Sequence, residues 1–194
     1  IFPLRDPDGS VTHFAAIERD VTARTLRELE LRSEANTDPL TGLFNRRGLD
    51  HRVRSAWDNS TSTNAVILID LDTFKEVNDD LGHGIGDQVL SCLAQVMLAS
   101  LRDSDYPIRL GGDEFALVLL DTDRTQAAKV AERVRADLTR ILAESDLPAT
   151  TASVGIATGL DVSLRDTLHA ADGALRSAKT HGKDRVAVAG HISV

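Results

Sequence analysis

The chain has one cysteine, Cys92, so no disulfide can form within it. Cys92 falls in the apolar helical pattern Val89-Leu90-Cys92-Leu93-Val96-Met97 and reads as a small core residue rather than a nucleophile. Long hydrophobic runs are also missing. The longest, Ala65 to Ile69 and Phe115 to Leu120, fall far short of the roughly 20 residues a membrane-spanning helix needs. With no signal-peptide pattern at the start, the expected compartment is the cytoplasm. Positive charge is in short supply: 22 Lys and Arg against 30 Asp and Glu leave a net charge of −8. That balance argues against wrapping a nucleic-acid backbone and leaves room only for a local basic cluster holding a small anion. No Walker A sequence occurs, so any phosphate must be held by backbone amides and scattered lysines. What remains, 42% hydrophobic and 27% charged residues over 194 positions, suffices for one sizeable soluble core and an appendage.

The first twenty residues read as a hairpin. Asp6-Pro7-Asp8-Gly9 is turn chemistry, and Val11 to Ile17 is β-prone. Two strands alone are marginal in water, so these belong to a larger sheet. From Ala23 to Asn36 neither Gly nor Pro appears, and Leu26, Leu29 and Leu31 are the apolar positions of a helical connector, either a solvated helix or a short coiled coil. Beyond it, the pattern predicts helices over Asn45–Asp58, Asp87–Leu101, Arg124–Glu144 and Ser163–Thr180. Strands are expected over Ala65–Leu71, Thr150–Thr158 and Arg185–Ala189, with two more around Gly111-Gly112 between Ile108 and Leu120. One adjacent strand pair is joined by a tight turn, so the fold class is α+β, with a mixed, mainly antiparallel sheet flanked by helices.

The aliphatic run Ala65 to Ile69 is that of a central strand and ends abruptly in Asp70-Leu71-Asp72. A second acidic group, Asp113-Glu114, follows the glycines that a hairpin turn needs for positive φ. If the hairpin lies beside the first strand, Asp70 and Asp113 converge. Converging carboxylates repel unless a cation lies between them. With neither histidine nor cysteine nearby, an oxygen-only site suits Mg²⁺ or Mn²⁺ and phosphoryl transfer. Asp113-Glu114 alone is a solvated hairpin tip; the coincidence with Asp70 favours a site.

These motifs resemble the GGDEF family of diguanylate cyclases. The resemblance rests on Gly111-Gly112-Asp113-Glu114-Phe115, on Asp38-Pro39-Leu40-Thr41-Gly42-Leu43 with Asn45-Arg46-Arg47, and on Asp70-Leu71-Asp72-Thr73-Phe74-Lys75 with Asn78. It continues through Gly82-His83-Gly84-Ile85-Gly86-Asp87, Ser153-Val154-Gly155-Ile156-Ala157, Ala171-Asp172-Gly173-Ala174-Leu175, Ala178-Lys179 and Gly182-Lys183, in family order over about residues 36 to 190. Separately, Phe14 to Thr22 is similar to the last strand and exit of PAS sensory domains. The resemblances divide the chain into a PAS-like end (1–22), a connector (23–36) and a cyclase domain (37–194) with a palm-like sheet, as in nucleotidyl cyclases and polymerases.

The resemblance implies a homodimeric enzyme under sensory control. Each subunit would bind GTP with two metal ions, Mg²⁺ or Mn²⁺, and each 3′-hydroxyl would attack the other's α-phosphate, giving cyclic di-GMP and pyrophosphate. It implies Asp70, the Leu71 carbonyl, Asp113 and Glu114 as metal ligands, and Lys179 and Lys183 on the terminal phosphates. Asn78 and Asp87 would read guanine, with Leu40 as an apolar wall, Phe74 and Lys75 in the triphosphate-side loop and His83 nearby. A carboxylate can accept from guanine N1 and N2, for which adenine offers no matching donors.

Plainer readings stand beside these. Lys179 and Lys183, four apart at a helix end, suit the helix dipole. Asp87 can cap the helix after it, and His83 can be a loop residue, since its glycines make no dinucleotide fingerprint. Arg102-Asp103-Ser104-Asp105, separated from Gly111 by five residues, matches the family's inhibitory site for cyclic di-GMP, and equally a surface turn. Two departures, Arg176 where the family often has tyrosine and Thr73 in place of a bulky residue, bear on the base pocket and helix packing. The rival to the enzyme is a catalytically silent GTP or cyclic di-GMP receptor; a pure dimerisation module would need no such carboxylates.

Overall fold

Eight consecutive residues, Asn64–Leu71, form a strand in which every position is buried. Such a strand can only lie at the centre of a sheet covered on both faces. The computed structural model, which describes residues 2–15 and 35–190, divides into two compact units, 1–33 and 34–194. In the first, β1 (Phe2–Arg5) and β2 (Val11–Ala15) pair antiparallel as expected. The turn is closed by Ser10 N–H donating to Asp6 Oδ1 at 2.9 Å, with Gly9 at φ 90°. The rest of the PAS-like segment and nearly all of the connector lie outside the described residues.

In the second unit, a helical stretch α1 opens over Arg46–Gly48, passes through a π-helical segment, Leu49–Val53, and resumes over Arg54–Asp58. Asn45 caps it, accepting from Arg47 and Gly48 N–H. The central strand is β3 (Asn64–Leu71). Then follow α2 (Phe74–Leu81), α3 (His83–Ala99), β4 (Tyr106–Gly111) and β5 (Glu114–Leu119). The chain closes with α4 (Arg124–Ala143), β6 (Ala152–Gly159), α5 (Leu164–Thr180) and β7 (Val186–Val188). The sheet order is β4-β5-β3-β6-β7, antiparallel except for β6 with β7. This is the expected mixed, mainly antiparallel α+β sheet.

Alternation along β3 divides the core. Ala65, Ile67, Ile69 and Leu71 pack with Leu90, Leu93, Met97, Val134 and Leu138 of α3 and α4. Val66 and Leu68 face Leu49, Val53, Trp57, Leu164 and Leu175 of α1 and α5. Cys92 lies partly buried against the first of these clusters. Among the described residues no helix is long and apolar enough to cross a membrane.

Two local expectations need correction. Phe74 and Lys75, expected in a loop, open a helix, Phe74–Leu81, and α3 starts at His83, four residues before Asp87. Gly84 and Gly86 weaken the intrinsic preference for that first turn. Gly86 makes room there, because a Cβ would meet Asn78 Oδ1 and the Phe74 ring and oblige the Asn78 side chain to turn aside. α2 therefore packs Asn78 and Phe74 closely against α3 at Gly86. Asp87 is an interior helical residue and not a cap, and His83 opens the helix rather than lying in a loop.

Candidate active site

At the carboxyl end of β3, Asp70 pairs in register with Glu114, the first residue of β5. The β4–β5 turn runs through Gly111 (φ 149°) and Gly112 (φ 56°), backbone that other residues adopt only at a cost. The turn thus sets Asp113 and Glu114 beside the strand end. Asp70 is 6% exposed, and its Oδ2 lies 2.7 Å from Lys179 Nζ. Burial pushes the Asp70 carboxyl above the usual carboxylate range; Lys179 opposes this, while the negative charges of Asp113 and Glu114 add to it. Three carboxylates within electrostatic reach share one ammonium, so the site has a net demand for positive charge.

Among the described residues no three His, Cys, Asp or Glu side chains form a ready-made metal cage. A magnesium-like ion does not require one, since it typically takes one or two carboxylates and completes its shell with water and substrate phosphate. The Leu71 peptide also faces the right way. Asp72 N–H donates to Thr151 O on the β6 side, so ladder alternation turns the Leu71 carbonyl toward the β5 hairpin. The donor set fits a hard divalent cation.

Three anchoring residues went unassigned in the sequence. Arg109 on β4 donates through Nε and a terminal nitrogen to Gly112 O, at 3.1 and 2.9 Å, and through its other nitrogen to both Asp38 oxygens, at 3.0 and 3.2 Å. Asp38 also accepts from Thr41 N–H and Oγ1. Burial pushes the Asp38 carboxyl up, but the Thr41 and Arg109 donors outweigh it and hold the group below its ordinary value. The Asp38-to-Thr41 motif is therefore a brace for the glycine turn. Asp72 is buried and accepts from Thr151 Oγ1 (2.6 Å), Ser153 Oγ (2.7 Å) and Asp184 N–H (3.0 Å).

Lys179 lies in the last turn of α5, but Lys183 is not on that helix. The chain reverses through Gly182 (φ 113°), and Lys183 N–H closes onto Ala178 O. The pairing of two lysines on one helix face is thereby corrected. Phe74 is 8% exposed in the core and not a loop residue, whereas Lys75, beside it in the first turn of α2, is exposed. Leu40 and Asp87 do come together, lining an open depression of about 390 Å³ with Gln88, Ser91 and Gln95, which the sequence reading did not single out. Asn78 stands at the neighbouring Gly86, and His83 is exposed. Glu114 also borders a cavity of about 280 Å³ with Arg46, His169 and Asp172. Arg176 pairs with Asp172 at 2.9 Å on α5.

Arg102 and Asp105 meet in a turn at the other end of β4 from the glycines, where Asp105 Oδ2 accepts from Arg102 N–H at 2.9 Å. Both line a cavity of about 300 Å³ with Leu98, Phe44 and Pro107. Burial raises the Asp105 carboxyl above its ordinary value.

An α+β sheet covered on both faces thus brings three carboxylates and a lysine together at one strand end, an oxygen-rich site with a net demand for positive charge. The chain belongs to the family described as diguanylate cyclase, GGDEF domain, which matches residues 35–185. It is 36% identical over 162 residues to the probable diguanylate cyclase DgcT of Escherichia coli K12, covering 79% of this chain and 36% of that protein. It is 35% identical over 182 residues to diguanylate cyclase DgcM of the same organism, covering 89% and 43%. The chain thus spans less than half the length of these relatives. Among solved structures, the coiled coil and GGDEF domain of DgcB from Caulobacter crescentus in complex with c-di-GMP superimposes with a TM-score of 0.78 at 31% identity, covering 88% of this chain and 96% of that one.

Proposed function

We propose that the chain is a diguanylate cyclase condensing two GTP molecules into cyclic di-GMP. The observation that carries this reading is the meeting of Asp70, Asp113, Glu114 and Lys179 at one strand end in a chain of this family. Asp70, Asp113, Glu114 and the Leu71 carbonyl would hold two divalent ions, Mg²⁺ or Mn²⁺. Bound there, the ions would lower the pKa of the attacking 3′-hydroxyl and neutralise charge on the leaving pyrophosphate. The protein's own groups bind and orient. Lys179 turns from Asp70 to the terminal phosphates, joined by Lys183, while Lys75 stands by on α2.

Base choice rests on the Asp87 depression. The Asp87 carboxylate accepts from guanine N1 and N2, Asn78 supplies a second polar contact, and Leu40 supplies an apolar wall; His83 opens α3 one turn before Asp87. Each O3′ forms a bond to the other nucleotide's α-phosphorus as the bond to the β-phosphate oxygen breaks. Two pyrophosphates leave, and each 3′-hydroxyl loses its proton to solvent. One chain holds one GTP, so the reaction centre is completed by a second copy in a homodimer. A sensory region before residue 23 and a connector over 23–36 would set how often the half-sites meet. Arg102 and Asp105 would bind product at the far end of β4 and hold the half-sites apart, giving non-competitive inhibition.

The test is nucleotide product analysis of the purified protein with GTP, with ATP and with both, adding cyclic di-GMP in a parallel series. Cyclic di-GMP from GTP alone is expected. Nucleotide binding without any product would identify a silent receptor and overturn the reading. Purely competitive inhibition, or equal product sensitivity in Arg102→Ala, would remove the inhibitory site.

A further inference from the structure

The segment after α5 holds two consecutive non-glycine residues in the left-handed region, Lys183 at φ 59° and Asp184 at φ 43°. Side chains disfavour that conformation, and it persists only where the surroundings over-determine it. Here they do. Lys183 N–H donates to Ala178 O at 3.1 Å, Asp184 N–H to Asp72 Oδ2 at 3.0 Å, and Arg185 O accepts from Val154 N–H at 2.9 Å. From the opposite layer, α4 sends Arg135, whose guanidinium pairs with Asp184 Oδ1 at 2.5 Å. Glu132 grips the same guanidinium from one turn away, through both carboxylate oxygens, at 2.5 and 3.1 Å. Arg135 is therefore a pre-oriented fork, with its side chain only 20% exposed.

The Asp72 contact explains where this segment is held. Asp70 lies near the end of the β3 ladder and Asp72 just past the strand's end, two residues on. One reaches Lys179 and the other the Asp184 amide. The backbone carrying Lys183 is thus fixed beside the strand end where Lys179 meets Asp70.

We propose that Arg135 is a positioning residue: together with Asp72 it locks the left-handed Lys183–Asp184 pair, so that Lys183 is presented to the terminal phosphates of the nucleotide. This rests on the reading of Lys183 as a phosphate-holding residue. Arg135 touches no substrate and acts through Lys183 alone.

The experiment is a double-mutant cycle of Arg135→Gln and Lys183→Ala in the full chain, read by calorimetry as the dissociation constant of a non-hydrolysable GTP analogue with Mg²⁺, and accompanied by unfolding midpoints. Arg135→Gln should weaken binding about tenfold, and the double variant should bind within about twofold of Lys183→Ala, since neighbours acting through one contact are non-additive. Arg135→Lys, which keeps the charge and loses the fork, should recover part of the loss. Wild-type affinity in Arg135→Gln, or losses that multiply in the double variant, would overturn the proposal. Wild-type affinity in Lys183→Ala would overturn it together with the phosphate-holding role. Because binding needs no turnover, a protein that binds the analogue but forms no cyclic di-GMP would sink the cyclase reading and leave the cycle decisive.

Discussion

Gly155 on β6 offers a sharp test of how the sheet positions α5. Its partner across β3 is Leu68, on the face that α5 covers. A Cβ built on Gly155 would lie 2.7 Å from Leu175 Cα, and closer still to Ala171 O and Leu175 N. Ordinary carbon contacts begin near 3.5 Å, so α5 would have to retreat by about 1 Å, and the obstructing atoms are helix backbone that cannot rotate away. Overpacking of this kind costs about 1–3 kcal/mol, and a backbone obstacle puts Gly155→Ala near the upper end. At about 2–4 °C per kcal/mol for a domain of this size, the midpoint should fall by about 6–12 °C. The same retreat draws Lys179 away from Asp70, and a misplacement of about 1 Å can cost on the order of 100-fold in rate. The matched control is Gly173→Ala on the same helix, where an added Cβ meets nothing within 4 Å. It should stabilise by about 0.5–1 kcal/mol and leave the rate unchanged. Thermal unfolding and initial rates of cyclic di-GMP formation measure both. If Gly155→Ala unfolds at the wild-type midpoint, the close approach of α5 to β6 is wrong.

Two further outcomes follow from the site. Asp70 has its carboxyl raised by burial, so its ionised form costs stability above the unfolded value near 3.9, and that cost fades as pH falls through the raised folded value. Asp70→Asn should therefore be slightly more stable than wild type at pH 7, by under about 1 kcal/mol because the ion pair with the partly exposed Lys179 is lost with it. The gain should vanish by about pH 4, with turnover below about a tenth; equal pH–stability curves would refute the electrostatic argument, and retained turnover the metal-binding role. Asp87→Ser removes a charged acceptor worth about 1.5–3 kcal/mol, so the GTP-over-ATP ratio of kcat/KM should drop about 10- to 100-fold, and an unchanged ratio would mean that guanine is read elsewhere.

The sheet was legible because its signals are local. The Ala65-to-Ile69 run is contiguous, and Gly111-Gly112 announces its own turn. α2 escaped because Asn78, Asp79 and Asp80 are weak helix formers, and its apolar face amounts to Phe74 and Val77, stabilised by packing on Gly86 rather than by propensity. The start of α3 was masked by Gly84 and Gly86, of which only Gly86 closes on a neighbour. Site residues that carry charge at a strand end or turn could be read from type and position. Arg109 and Arg135 could not, because their partners Gly112, Asp38 and Asp184 are fixed by sheet order and by the approach of two layers. Spacing along a chain does not encode a contact between residues 71 positions apart.

Asp70 and Asp72 show why residue type alone does not separate a structural carboxylate from a functional one. Both are buried and two residues apart, one in the strand and the other just past its end. Asp72 accepts from two hydroxyls and a backbone amide, all neutral donors contributed by β6, its approach and the segment after α5. Those donors are fixed by the fold, so Asp72 is complete as it stands and ties three segments together. Asp70 has the Lys179 ammonium, on a flexible stem that is 39% exposed, while two further carboxylates add to its negative field. A lysine can swing to a phosphate at little cost, whereas a locked amide cannot. The same strand end thus carries one carboxylate whose partners are permanent and one whose partner is exchangeable, and on the proposed reading only the second would give up its counter-ion to a metal-bound substrate.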